Sequence, residues 1–206
     1  MIKSQKLSAA RLVRMPTLAE AMLDSLMMSS AVTNAVTKAA LVIFGSLLLA
    51  LSAQFKIPLY PVPVTGQTLV VLLIGMTYGP RLGGITMAAY LFEGALGLPV
   101  FAGGAAGAAV LVGPTGGYLF GFLLAGVAMG YLGERGMGRT AVSTIAAMAI
   151  GNFVIYFCGA SWLANFIGFG QAIAAGVLPF LYGDALKLVV AAGLMPLAWR
   201  ALNSVK

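Results

Sequence analysis

The run LPFLYGDALKLVVAAGLMPLAW (residues 178–199) is long and apolar enough to cross a bilayer as a helix, yet it carries Asp184 and Lys187 within it. An ionisable group at the bilayer centre costs roughly 2.5 to 3.5 kcal/mol, so such groups face a cavity or a partner. Residues i and i+3 share one helix face, which lets this pair present a carboxylate and an ammonium to the same small molecule. The same spacing also suits an intrahelical ion pair that neutralises itself for packing. The two roles are compatible, because a pair can exchange its mutual contact for contacts to a ligand.

The rest of the chain has the same character. Of 206 residues, 61% are hydrophobic and 8% charged, and the mean hydropathy is +1.00, well outside the range of a soluble globular domain. Long uninterrupted apolar runs, without strict alternation, select helices over a barrel. Six spans are predicted, at 29–55, 66–79, 82–98, 117–132, 140–158 and 174–198, the second to fourth being short or glycine-interrupted. The expectation is an all-α integral membrane protein: an N-terminal tail over 1–28, a six-helix transmembrane domain over 29–200, and a C-terminal tail over 201–206. Within the N-terminal segment, residues 17–28 could form a short surface helix.

Basic residues orient the bundle, because cytoplasmic flanks carry the excess of Lys and Arg. With the N-terminus inside, Lys3, Lys6, Arg11, Arg14, Lys38, Arg81, Arg135, Arg139, Arg200 and Lys206 all fall on the cytoplasmic side, ten of the twelve basic residues. Lys56 is left outside and Lys187 lies within a span. Both termini are therefore expected in the cytoplasm, and topology accounts for the net charge of +7 without invoking nucleic acid.

Several function classes lack their chemistry. The single cysteine, Cys158, allows no internal disulfide, and without histidine the commonest metal ligand and general base is missing. Five scattered acidic residues do not supply a catalytic or metal-binding cluster, so no enzyme, metal or cofactor is expected. No GxxxxGK[ST] loop is present, so any ATP-driven step would need a partner ATPase.

Two external connections are irregular. GLPVFAGGAAGAAVLVGPTGGYLFGF (97–122) holds seven glycines between Gly97 and Gly117, with Pro99 and Pro114, and predicts a folded loop dipping into the protein. QFKIPLYPVPVTGQTL (54–69) is stiffened by Pro58, Pro61 and Pro63. If the last helix enters from outside near Gly176, Asp184 lies roughly 12 Å in, beneath both loops, in a lidded pocket open to the outside. Tyr118, directly after the glycine loop, is a candidate ligand contact. Glu93 could complete the pocket, pair with a basic group or be solvated. Asn152 is expected to tie helices together by hydrogen bonding. Ala31, Ala35 and Ala39 form a smooth stripe on the first helix, suited to internal packing or to docking of a separate membrane subunit.

The segments VPVTGQTL (62–69), GLPVFAGG (97–104), GPTGGYLFGF (113–122) and GDALK (183–187) together resemble the BioY family, with four matches in order between about residues 33 and 200. Members of that family are substrate-capturing S-components of energy-coupling-factor (ECF) vitamin transporters, and their substrate is biotin. The resemblance implies a six-helix fold in the bacterial cytoplasmic membrane with biotin held near the outer surface. It also implies a membrane coupling subunit and ATPase subunits as partners, or a homo-oligomer if the protein works alone. Asp184 and Lys187 match the family's biotin-binding pair, and the alanine stripe looks like its docking surface for the coupling subunit. Residues of the two external loops, among them Gln67, Phe101 and Gly103, would cover the ligand.

A ureido ring offers two N–H donors and a strong carbonyl acceptor, which suit a carboxylate and an ammonium respectively. Lys187 could instead contact the valerate carboxylate. Phe101, Tyr118 and Tyr182 are candidates for the apolar walls. Proton-linked transport by this chain alone, with Asp184 or Glu93 as proton carrier, is the competing mechanism.

Overall fold

Backbone groups in hydrocarbon must be paired within the protein, and this chain satisfies them almost entirely with helices. The computed structural model describes residues 14–25 and 31–204. In chain order the elements are α1 (Leu18–Ser25), α2 (Ala31–Gln54), a two-stranded ribbon of β1 (Lys56–Ile57) and β2 (Val64–Thr65), and α3 (Gln67–Ala95). A 3-10 turn (Ala102–Gly104) and α4 (Ala108–Val112) precede α5 (Gly116–Glu134), α6 (Ala141–Ile167), α7 (Phe169–Gly176) and α8 (Leu178–Ser204). Counting α7 and α8 together, five helical runs among the described residues are long and apolar enough to cross a membrane. Large side chains such as Ile43, Phe153 and Leu186 stand exposed on the outside of the bundle, as a lipid-facing surface requires.

The second and third predicted spans are the two arms of α3. Gly79 breaks the helix with φ 83 and ψ 173, a conformation that only glycine adopts readily, and Pro80 starts the second arm with the fixed φ that suits a first turn. The arms fold back on each other. A Cβ placed on Gly83 would lie 3.2 Å from the Gly75 Cα, and the Gln67 amide donates to the Tyr90 hydroxyl at 2.6 Å across 23 residues. A straight helix would hold residues eight apart roughly 12 Å from each other. The two arms of α3 thus occupy the places of the second and third predicted spans within one of the five long apolar runs. The fifth span is longer than its sequence suggested, running to Ile167. The last begins later, at Leu178, because α7 forms a separate short helix before it.

One end of the bundle gathers the ribbon, the glycine-rich loop and the α7 region. The Trp162 indole donates to the Gly113 carbonyl at 2.9 Å, and the Tyr118 hydroxyl donates to the Gly176 carbonyl at 2.8 Å. The other end carries the α3 fold, the α5–α6 connection and α1. There the Met15 amide donates to the Glu134 carbonyl at 2.8 Å, and Arg14 pairs with Glu134 at 2.8 Å and with Glu20 at 2.5 Å. Thr17 and Glu20 form a reciprocal cap on α1, and Thr17 and Ala21 are buried. The helix expected within 17–28 thus exists over Leu18–Ser25 and is docked on the bundle. Residues 1–13 and 26–30 lie outside the described residues.

Close backbone approach holds the centre together. A Cβ on Gly75 would sit 2.5 Å from the Gly126 carbonyl oxygen and 2.8 Å from the Met129 Cβ, so α3 and α5 touch where Gly75 faces Gly126 and neither carries a side chain between them. Leu72, Met76, Met87, Met129, Met148 and Ile155 fill the space around this contact. Replacing Gly75 by Ile should force α3 and α5 apart, cost about 1–3 kcal/mol or more, and lower the thermal midpoint of the detergent-purified protein. Gly170→Ala, where a Cβ meets nothing within 4 Å, should leave that midpoint unchanged.

Candidate ligand site

The ribbon, the glycine-rich loop and the upper parts of α3, α5, α6 and α8 enclose a cavity of about 170 Å³. Its walls are mainly aromatic and aliphatic. Tyr118 stacks on Phe180 with ring centroids 6.1 Å apart, Tyr156 meets Phe180 edge-on, and Phe101 closes the loop side. Phe101 is itself held by an edge-to-face contact with Tyr90 at 5.6 Å and rests on Gly94, where a Cβ would overlap its ring.

Polar groups concentrate along one wall. Gln67, Thr68 and Tyr156 face the cavity, and Asp184 and Lys187 stand immediately behind Thr68 and Tyr156. Asp184 is only 3% exposed. Its Oδ1 accepts from the Lys187 ammonium at 2.8 Å and from the Thr68 hydroxyl at 3.1 Å, and its Oδ2 accepts from the Tyr156 hydroxyl. Lys187 spends its other two N–H groups on the Thr68 hydroxyl at 2.7 Å and the Thr65 carbonyl at 2.9 Å. All three ammonium donors are therefore engaged, and the carboxylate is satisfied on both oxygens. The hydrogen bonds leave neither member of this buried pair without partners.

The protonation pattern decides what the wall offers. Tyr156 lines the cavity and donates its proton to Asp184, so its oxygen can act there only as an acceptor. Thr68 donates to Asp184 and accepts from Lys187, which leaves one lone pair. Gln67 gives one amide N–H to Tyr90 and accepts from the Thr65 hydroxyl at 3.2 Å, keeping its second N–H. The wall thus presents two acceptors and one donor side by side.

Most of the residues singled out from the sequence meet here. Gln67, Phe101 and Tyr118 line the cavity, Asp184 and Lys187 back it, and Gly103 lies beside the lining residue Ala102. Two do not reach it. Tyr182 is 87% exposed, because a residue two positions before Asp184 points about 200° around the helix. Phe180, on the same face as Asp184 at the i, i+4 spacing, takes the wall position instead. Glu93 turns toward α2, where its carboxylate accepts from the buried Ser46 hydroxyl. Ala35 and Ala39 are exposed on α2, and the Ala31 side chain lies outside the described residues. The Asn152 Oδ1 is buried with no hydrogen-bond partner among the described residues, so this oxygen ties no helices together.

Thr68 and Tyr156 were not singled out from the sequence. Thr68 had a signal in its place beside Gln67 at the start of a helix. Tyr156 had none, since its contact with Asp184 spans 28 residues.

Comparison with known proteins agrees with this architecture. A profile of the BioY family matches residues 22–204. The chain is 41% identical over 144 residues to the probable biotin transporter BioY of Pyrococcus horikoshii, covering 70% of this chain and 85% of that protein. It is 42% identical over 146 residues to the biotin transporter BioY of Thermotoga maritima, with the same coverage. In three dimensions it matches a crystal structure of the S-component for biotin from an ECF-type ABC transporter, with a TM-score of 0.74, 25% identity, and coverage of 84% of this chain and 95% of that one. A family match over residues 22–204, relatives more than 40% identical and a shared helical architecture place this membrane protein in the BioY family.

Proposed function

We propose that this chain captures biotin as the substrate-specific component of an ECF-type transporter, with Asp184, Lys187, Thr68, Tyr156 and Gln67 forming the polar side of the binding site. The observation that carries the site assignment is the pattern of two acceptors and one donor on a single wall of an otherwise apolar cavity. The two ureido N–H groups suit the oxygens of Tyr156 and Thr68, whose acceptor strength is raised by donating to the buried Asp184 carboxylate. The ureido carbonyl suits the free N–H of Gln67, and the bicyclic body suits the surface of Phe101, Tyr118 and Phe180. Asp184 and Lys187 then act chiefly by fixing which way the wall hydroxyls point.

The cavity is assigned to the external side of a bacterial cytoplasmic membrane with both termini inside, because Arg81, Arg135, Arg139 and Arg200 all lie toward the opposite end of the bundle. Transport requires a membrane coupling subunit and a pair of ATPases. The exposed Ala35 and Ala39 face of α2 is a smooth surface on which such a subunit could pack closely.

Calorimetric titration of the detergent-purified protein should give stoichiometric binding of biotin and no heat with thiamin or riboflavin. A folded sample that is silent toward biotin would overturn the proposal. Tyr156→Phe removes both a wall acceptor and a proton donor to Asp184, and Asp184→Asn removes the charge that orients the wall. Each should weaken biotin binding by roughly tenfold to a hundredfold while the protein stays monodisperse. In liposomes holding only this chain, biotin should not accumulate until the coupling subunit, the ATPases and ATP are supplied. Accumulation without them that collapses on adding a protonophore would instead establish proton-linked transport.

A further inference from the structure

We propose that Lys56 at the rim of the cavity is the residue that takes the ligand's carboxylate and so selects an acid over its neutral derivatives. This rests on the assignment of biotin to the cavity, and four observations bear on it.

Lys56 pairs with Thr65 across the ribbon, and directly paired residues on antiparallel strands project to the same face. Thr65 lines the cavity, and its carbonyl anchors Lys187, so the ribbon links the rim to the polar wall. The Lys56 side chain then reaches across to the glycine-rich loop. Its ammonium rests in the space that a Cβ on Gly103 would occupy, and Gly103, at φ 69, follows the lining residues Phe101 and Ala102. The missing side chain at Gly103 thus makes a seat for the ammonium above the cavity edge.

The third observation is charge. Lys56 is exposed, forms no ion pair among the described residues, and is the basic side chain at the loop end, while Lys38, Arg81, Arg135, Arg139 and Arg200 lie toward the opposite end or at it. The fourth is saturation. Lys187, the other cation near the cavity, has all three donors committed to Asp184, Thr68 and the Thr65 carbonyl, so it holds none in reserve for a carboxylate. A ligand with a neutral polar ring at one end and an anion at the end of a flexible tail therefore meets matching chemistry at both ends. The ring pairs with the wall, and the tail runs up the aromatic surface to the ammonium at the rim. An exposed ammonium also attracts an anion from solution before it docks, in a manner that salt screens.

The test compares biotin with biotin methyl ester, which keeps the ring and tail and loses the charge, on the wild-type protein, Lys56→Met and Lys56→Arg. The wild type should favour biotin over the ester by about tenfold to a hundredfold, and the preference should shrink as salt rises. Lys56→Met should lose that preference by weakening biotin alone, and Lys56→Arg should restore most of it. A Lys56→Met protein that keeps the full preference, or that loses both ligands equally, overturns the assignment of Lys56 while leaving biotin capture intact. A wild type that binds neither compound overturns biotin capture and this inference with it.

Discussion

A carboxylate buried inside a membrane bundle has to be satisfied by the protein around it, and Asp184 recruits side chains from three of the helices that meet at the cavity. Thr68 comes from the first arm of α3, Tyr156 from α6, and Lys187 from α8 itself, which in turn holds the carbonyl of Thr65 on the ribbon. The cost of leaving any one of these groups unpaired is what fixes the relative positions of the three helices. The apolar part of the cavity inherits its shape from that arrangement, because Phe180 lies one turn before Asp184 and Tyr156 packs edge-on against it.

Outside this network the bundle is held by contact between bare backbones. Gly75, Gly83 and Gly126 meet where side chains would have kept α3 and α5 apart, in a setting where lipid is as apolar as the protein and burial alone gives little drive to associate. Two kinds of force are thus divided between two regions. Van der Waals packing dominates at the centre, and side-chain hydrogen bonds gather at the two ends, the buried ones around Asp184 at the ligand site.

The sequence made the membrane class, the helical architecture and the Asp184–Lys187 pair legible, since each rests on local composition or on a spacing within one helix. The break at Gly79–Pro80 was also readable, as two short apolar runs in place of one long one. Contacts between helices were not. Nothing local says that Tyr156 faces Asp184 or that Glu93 turns to Ser46, because helical spacing gives the face of a residue without saying which neighbour covers it. Tyr182 illustrates the difference. Proximity in sequence to Asp184 suggested a wall residue, while the helical period placed it in the lipid-facing direction and favoured Phe180. The short α7 was missed because its residues continue the apolar run of α8, and only the chain's turn at Val177 separates them.

The backbone of Gly79 has an effect that reaches beyond its own turn. Folding α3 in two returns the chain to the end of the bundle from which the helix began. Were α3 straight, everything after it would be inverted with respect to α2, and the glycine-rich loop could not meet the ribbon that closes the other half of the cavity. A residue that touches neither the ligand wall nor its supporting charges thereby brings the two halves of the site to the same end of the bundle.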